Sequence, residues 1–323
     1  MNEPLASLSL DLDNKWSYMK THGDDGWEKF PSYLDIVVPR VLKFLRTRNL
    51  KITFFVVGQD AHLSKNKESL SRLSVENHEI GNHSFNHEPW LHLYSKQQVA
   101  DELERAETAI FEATNQKPIG FRGPGFSLSK TVLETLANRG YKYDCSTFPT
   151  YLAPLARAFY FMNAKGLSPD ERQKRKQLFG KFSDGFQTLK PFAWQINDKT
   201  LLEIPVTTLP FAKTPIHASY LLYLSSFSAK AAEIYWRNAL RMCRLTRTPL
   251  SLLLHPLDFL GADDESDLNF FPGMNLQSGR KLDFVGKVLD LMAKDFQIVT
   301  MRQHAESLDA SQIKSKPLAQ MAL

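Results

Sequence analysis

The 323 residues suffice for one large domain or two ordinary ones, and 43% apolar with 23% charged residues is ordinary for a globular chain with a sizeable core. Forty Lys and Arg against 35 Asp and Glu leave a formal charge of +5, which is modest and, without a recognised binding module, gives a nucleic-acid role little support. Two cysteines, Cys145 and Cys243, exclude a disulfide framework and a thiolate metal cage, and no run approaches the roughly twenty apolar residues of a membrane-spanning helix.

Residues 5–12 read as a strand that ends in Asp11 and Asp13, and residues 33–48 as a helix with apolar positions near helical spacing. Residues 51–57, rich in β-branched and aromatic side chains and closed by Gly58, read as a second strand. A helix over 64–77 leads to a short strand over 78–81. Residues 95–114 form the clearest helix, with Leu103, Ala106, Ile110 and Phe111 expected on one face. A strand over 118–121, a helix over 129–139 and a strand over 141–144 follow. The rhythm resumes with strands at 201–206, 249–255 and 297–301 and helices at 228–244 and 279–294. Repeated strand–helix units predict an α/β fold on a parallel sheet, open or closed into a barrel. Residues 147–200 break the rhythm, being aromatic and basic, and read as an insertion in a single domain spanning 1–323. Within it Tyr151, Phe159, Tyr160, Phe161, Phe192 and Trp194 suit either a sugar-stacking wall or a small core of the insertion itself. The basic run Arg172, Lys174, Arg175, Lys176 and Lys181 reads as a solvated helix face. The apolar stretch 216–227 reads as core, with contact to a lipid-linked substrate as the alternative.

Polar residues just past the apolar runs deserve the closest reading, because in a parallel α/β fold the strand ends open on one face. Asp11 and Asp13 leave the first strand two residues apart, so one carboxylate can bind a metal ion while the other takes a proton; a capped strand end would look the same. His83 and His87 stand at i and i+4, which on a helical turn would let both grip one divalent ion, although Gly81-Asn82 and Glu88-Pro89 on either side mark a loop junction. Arg122 ends a strand at a rigid Gly-Pro-Gly turn and can orient a carboxylate but not act as a base. Asp144 ends another strand and could pair with that arginine. Cys145 beside it reads as a packed thiol. His255 ends the strongly apolar strand near the C-terminus, where it could protonate a leaving group with Asp258 orienting it.

Taken in order, these pieces resemble the polysaccharide deacetylase family, the NodB-homology enzymes of carbohydrate esterase family 4. The resemblance runs over about residues 5–301, leaves 147–200 unmatched, and is most specific in His83-Ser84-Phe85-Asn86-His87 and Arg122-Gly123-Pro124-Gly125. It implies a distorted (β/α)7 barrel and metal-dependent hydrolysis of an N-acyl amide, N-acetyl above all, on a sugar or polysaccharide. It implies Asp13, His83 and His87 as ligands to a divalent ion, most often zinc, with Asp11 as base, Arg122 orienting it, Asp144 fixing the arginine, and His255 as general acid. Leu12 separates the two aspartates where the commonest family pattern has them adjacent. A subgroup with the same separation also has His-Pro-x-Asp in the last motif, as in His255-Pro256-Leu257-Asp258.

Two other readings share these residues. The same machinery could act on a small cyclic imide or ureide, or on an N-formyl group of a lipid-linked sugar. A non-catalytic glycan-binding protein could keep the fold, but it would be expected to lose a ligand or the base, and every expected type is present. The expected partner is an N-acylated sugar or glycan, free or lipid-linked, and not nucleic acid. Residues 1–8 have no basic or long apolar region of a secretion signal, so a cytoplasmic protein, peripheral to the membrane at most, is expected.

Overall fold

The computed structural model describes residues 4–154, 182–309 and 313–321. Its strands are β1 (Leu5–Leu12), β2 (Thr53–Val56), β3 (Glu79–Asn82), β4 (Gly120–Phe121), β5 (Tyr143–Asp144), β6 (Phe192–Ile196), β7 (Lys199–Glu203), β8 (Leu250–Leu254), β9 (Gln297–Val299) and β10 (Lys314–Pro317). They lie in one sheet in the order β10-β6-β7-β5-β4-β3-β2-β1-β8, with β9 beside the start of β1. All pairings are parallel except the β6–β7 hairpin. β1 is buried from its second residue onward, because β8 covers one edge while β9 and then β2 share the other. That is why it reads as an almost unbroken apolar and serine run. The ladder does not close. Past β7, however, Thr207 donates its N–H to Ser251 O at 3.1 Å and accepts from Ser251 N–H through Oγ1 at 2.8 Å. β1 to β5, β7 and β8 thus follow one another around an incompletely closed barrel, the distorted (β/α)7 form the motifs imply.

The helices are α1 (Lys15–His22), α2 (Leu34–Arg46), α3 (Gly58–His62), α4 (Ser64–Val75), α5 (Lys96–Thr114), α6 (Lys130–Arg139), α7 (Ala218–Phe227), α8 (Ala229–Leu245), α9 (Ser278–Met292) and α10 (Met301–Glu306). α5 begins in a reciprocal Ser95–Gln98 capping box and ends at Asn115, whose φ of 55° is left-handed. It buries Leu103, Ala106 and Ile110 as expected, whereas Phe111 is 51% exposed, one position outside the buried stripe. α8 starts at Ser228, which caps Ala231 N–H, and buries Ala232, Trp236, Ala239, Leu240 and Cys243 along one face. The main apolar core joins α2, α8 and α9 to the outer faces of β1, β2 and β8. Among the described residues no helix is long and apolar enough to cross a membrane.

The end of the arrhythmic stretch is part of the sheet. Phe192, Trp194 and Ile196 of β6 pack with Val132, Leu133 and Leu136 of α6, so Phe192 and Trp194 are neither a sugar-stacking wall nor a core private to the insertion. Trp194 also donates its indole N–H to buried Glu203 at 3.0 Å. Tyr151 packs against Phe182 and Phe186. Phe159, Tyr160, Phe161 and the basic run from Arg172 to Lys181 lie outside the described residues.

His78, just before β3, is 2% exposed and accepts Ile52 N–H through Nδ1 at 3.2 Å. Burial first, and then the Lys51 charge, pushes its value down from 6.5 to about 4. Unfolding therefore takes up a proton between those values, and this residue's contribution to stability falls as pH falls through that window. Compared with His78→Gln in urea denaturation, the parent is expected to lose up to about 1.4 kcal/mol per pH unit of relative stability between pH 6.5 and 4. A difference independent of pH would show that His78 takes up its proton in the folded chain as readily as in the unfolded one.

Candidate metal centre

One line of register explains why the polar strand ends gather. Leu12 pairs with Val56, Val56 with Asn82, Asn82 with Phe121, Phe121 with Asp144, and Asp144 with Glu203. Asp13, His83 and Arg122 each stand one residue beyond that line. On the other edge of β1, Leu10 pairs with Leu254, which brings His255 level with Asp11.

The end of β1 is fixed by its neighbours. Tyr33 donates its hydroxyl to Asp13 O at 2.7 Å, and Asn14 accepts Tyr33 N–H at 3.1 Å while donating to Asp60 at 2.7 Å. Asp60 also takes the Trp16 indole N–H at 2.9 Å, and burial pushes its carboxyl up to about 7. The histidines reach Asp13 by a route different from the helical turn that their spacing allows. Residues 83–90 carry no regular helix, and Ser84 and His87 both have left-handed backbone, with φ of 61° and 52°. The loop is clamped from below. Glu102 of α5 accepts Phe85 N–H at 3.0 Å, Asn86 N–H at 2.9 Å and the Asn86 side-chain amide, while Gly58 and Gln59 donate to the carbonyls of Ser84 and Phe85.

The outcome is a convergent donor set. His83 Nε2 and His87 Nε2 lie 3.3 and 3.0 Å from the same Asp13 Oδ1, and the three ligand atoms fall within 4.8 Å of one another. All three residues are at most 9% exposed. His83 Nδ1 is 2.6 Å from Arg122 O, a carbonyl that can only accept. Nδ1 therefore carries a proton, and Nε2 is the ring atom turned toward Asp13, where it could offer its lone pair to an ion. His87 Nδ1 has no partner among the described residues, and its Nε2 is likewise the ring atom turned toward Asp13. Burial would raise the Asp13 carboxyl, but the His87 charge and the two histidine hydrogen bonds hold it well below the usual range. Burial would likewise lower His83, and the Asp11 and Asp13 charges outweigh it. Two imidazole nitrogens and one carboxylate, nearly dry and mutually close, fit a divalent ion with positions left for water or substrate.

Arg122 lies beside this cluster with no exposed surface. Its Nη1 donates to Asp11 Oδ1 at 2.6 Å and to Ser9 Oγ at 2.9 Å, its Nε donates to Cys145 O at 3.1 Å, and its guanidinium covers the Phe55 ring at 4.4 Å. Asp144 does not bond to it, contrary to expectation. Its oxygens are taken by the N–H and hydroxyl of Ser146 at 2.9 and 2.8 Å, the local turn that aspartate favours two residues on, so its charge reaches Arg122 only through space. Asp144 instead shares a hydrogen bond with Glu203, which burial and then the Asp144 charge push well above the usual carboxylate range. Cys145 is buried, and burial pushes its thiol well up, so it is a packed thiol.

His255 opens the turn after β8. Asp258 does not hold its ring, because the 3-10 turn Pro256–Asp258 folds that carboxylate back onto the His255 backbone N–H at 2.8 Å. The ring partner is Ser219, with Oγ 3.0 Å from Nδ1. The ring of His217 stands between those of His255 and Phe148, at centroid distances of 6.2 and 5.9 Å. Sequence reasoning missed Ser219, His217, Glu102 and Glu203. The visible signal for the first two was a pair of polar residues at the head of an apolar run.

Comparison with known proteins gives a match of residues 23–143 to the family described as polysaccharide deacetylase, a span holding His83, His87 and Arg122. The chain is 29% identical over 143 residues to a peptidoglycan-N-acetylglucosamine deacetylase of Bacillus cereus, covering 43% of this chain and 61% of that protein. It is 36% identical over 106 residues to the peptidoglycan-N-acetylmuramic acid deacetylase PdaA of Bacillus subtilis, covering 32% and 39%. The chain thus spans less than two thirds of these curated relatives. A crystal structure of a Mycobacterium smegmatis protein described as a polysaccharide deacetylase shares the fold at a TM-score of 0.62 and 19% identity, covering 100% of this chain and 99% of that one.

Removing the clamp under the histidine loop tests how far the centre is preorganised. Glu102→Ala is expected to weaken Co2+ binding about tenfold or more in isothermal titration, because the groups that orient ligands carry affinity of that order. Unchanged affinity would show that the loop keeps its course without Glu102.

Proposed function

We propose that this chain, a member of the polysaccharide deacetylase family, hydrolyses the N-acetyl amide of an amino sugar within a glycan, releasing acetate and a free amine. The observation that carries the reading is the Asp13–His83–His87 donor set standing beside an Asp11 held by Arg122. The names of the relatives, deacetylases of peptidoglycan and chitin, support a polymeric N-acetylated substrate. The core that runs from Ala6 to Phe296 supports treating the chain as one catalytic unit with an insertion.

An amide is a poor electrophile and neutral water a poor nucleophile. A divalent ion on Asp13, His83 and His87, for which we propose zinc from the two-imidazole, one-carboxylate set, would acidify water and polarise the carbonyl. Asp11 takes the proton of the attacking water. Arg122 aims that carboxylate, since Nη1 holds one of its oxygens at 2.6 Å. His255, level with Asp11 on the adjacent strand, gives a proton to the departing nitrogen.

Acetate release from oligomers of N-acetylglucosamine is expected from the ion-loaded protein, to vanish on chelation and to return with Zn2+ or Co2+. An ion-loaded protein that releases acetate or formate from no N-acylated sugar would overturn the substrate reading. Asp11→Asn is expected to keep the ion while turnover drops about 10²–10⁴-fold, and His83→Ala to lose both. Loss of the ion in Asp11→Asn but not in Asp13→Asn would exchange the two roles.

A further inference from the structure

Metal binding and proton transfer leave one surface of the chain unused. Three phenylalanines, Phe182, Phe186 and Phe211, are 56, 74 and 78% exposed. One large apolar side chain at the surface is ordinary, but rings gathered from separate loops are not. Phe182 and Phe186 open and close a 3-10 turn that lies on Tyr151, with ring centroids 5.1 and 5.3 Å from the tyrosine ring. The turn fits there because Gly185 has no side chain; a Cβ would collide with the Tyr151 ring. Phe211 stands in a loop closed by the Thr208–Pro215 bridge and by Leu209 N–H on Thr214 O at 2.8 Å. Its φ of 68° is left-handed, a backbone that bulky residues avoid, so the fold holds this ring in water against local preference. Lys213 ties the two loops together by donating Nζ to Gln187 O at 2.6 Å. The surface adjoins the site. Thr208 donates its hydroxyl to Pro149 O at 2.8 Å, and the Phe148 ring, one residue earlier, lies 5.9 Å from that of His217, the neighbour of His255.

Charge is distributed to match. From the start of the insertion to the end of the Phe211 loop, residues 147–215 hold ten Lys and Arg against five Asp and Glu. They carry the whole +5 excess of the chain, and the remainder is balanced. The densest basic run ends at Lys181, bonded directly to Phe182. We propose that Phe182, Phe186 and Phe211 form a docking surface for an anionic phospholipid bilayer, which holds the neighbouring site at the membrane. Exposed rings beside a cationic excess complement such a surface, because the rings enter the boundary between headgroups and acyl chains while Lys and Arg meet the lipid phosphates. A sugar polymer fits less well. A pyranose stacks on a flat aromatic face, whereas Phe186 stands at 75° to Tyr151 and 77° to Phe182, which makes a ridge. Phenylalanine also offers no hydrogen bond to a sugar hydroxyl. The surface does not depend on the amide hydrolysis proposed above.

Co-sedimentation of the full chain with vesicles tests the surface. Binding is expected on equimolar phosphatidylcholine and phosphatidylglycerol, to weaken as salt is raised to about 0.5 M, and to be about tenfold or more weaker on phosphatidylcholine alone. Phe186→Ser combined with Phe211→Ser is expected to cut partition onto the mixed vesicles about tenfold or more, since both rings lose their burial in lipid. Both side chains are largely exposed in the folded chain, so the thermal midpoint and acetate release from soluble N-acetylglucosamine oligomers are expected to stay as in the parent. The parent's dependence on lipid charge needs no variant. A parent that fails to partition onto the mixed vesicles would overturn the proposal, as would a double variant that binds them like the parent. A double variant with raised KM on the oligomers and unchanged vesicle binding would make the rings a glycan platform instead. A parent inactive on every N-acylated sugar would overturn the proposed hydrolysis and leave the vesicle result to decide the surface.

Discussion

The buried guanidinium of Arg122 is the constraint from which the site is built. A charge with no exposed surface must be paired and hydrogen-bonded or it costs several kcal/mol. Its pairing reaches two strands, Ser9 and Asp11 on β1 and the Cys145 carbonyl just past β5. The same residue's backbone carbonyl takes the Nδ1–H of His83. One residue thereby couples the two halves of the proposed chemistry. Its side chain aims the carboxylate that would take a proton, and its carbonyl sets the tautomer of a ligand to the ion.

Around it the interior is crowded with acids. Asp11, Asp13, Asp60, Asp144, Glu203 and Asp258 are all nearly or fully buried, and one guanidinium cannot neutralise them. The structure separates them by environment. Asp13 is kept ionised by two imidazoles, whereas Asp60 and Glu203 are pushed toward the neutral acid by burial. Carboxyls whose environments drive them apart are how one fold assigns acid, base and ligand roles at a single pH. Asp144 fits this scheme better than the direct salt bridge expected of it, since its bond to Glu203 leaves a shared proton beneath Arg122 in place of a second naked charge.

The barrel was legible because its strands are apolar runs ending in turn residues, and β1 was read to the residue. The short β4 and β5 and the β6–β7 hairpin were less so, since two-residue pairings carry little pattern and the hairpin lies in a stretch without helix–strand rhythm. The site was legible as residue types at strand ends: Asp13, His83 and His87 converge, and Asp11 meets Arg122. What spacing alone could not supply was the route. The i, i+4 histidines suggested a helical turn, but the chain reaches the same convergence through a loop held by Glu102, an acid set among Val99, Leu103 and Ala106 on the buried stripe of α5, whose partners lie 16 and 17 residues away. Ser219 was hidden for the same reason, its partner being 36 residues away in sequence.

The histidine loop is also where local preference is overruled. Left-handed backbone at a serine such as Ser84 costs on the order of 1 kcal/mol or more and persists only where the surroundings over-determine it. Here they do: Asn82 Oδ1 takes Ser84 N–H at 2.8 Å, Gly58 N–H donates to Ser84 O at 2.8 Å, and Glu102 takes the next two backbone N–H groups. The close approach of α3 that makes this possible depends on Gly58 having no side chain, since a Cβ there would meet the Ala106 backbone at 2.7 Å. A helical turn would have satisfied its own backbone and left the two rings on a face that Asp13 would have to come and find. The strained loop instead carries both rings to an aspartate already fixed by Tyr33 and Asn14, so the energy stored in two backbone positions is what brings three ligands from two strands within reach of a single ion.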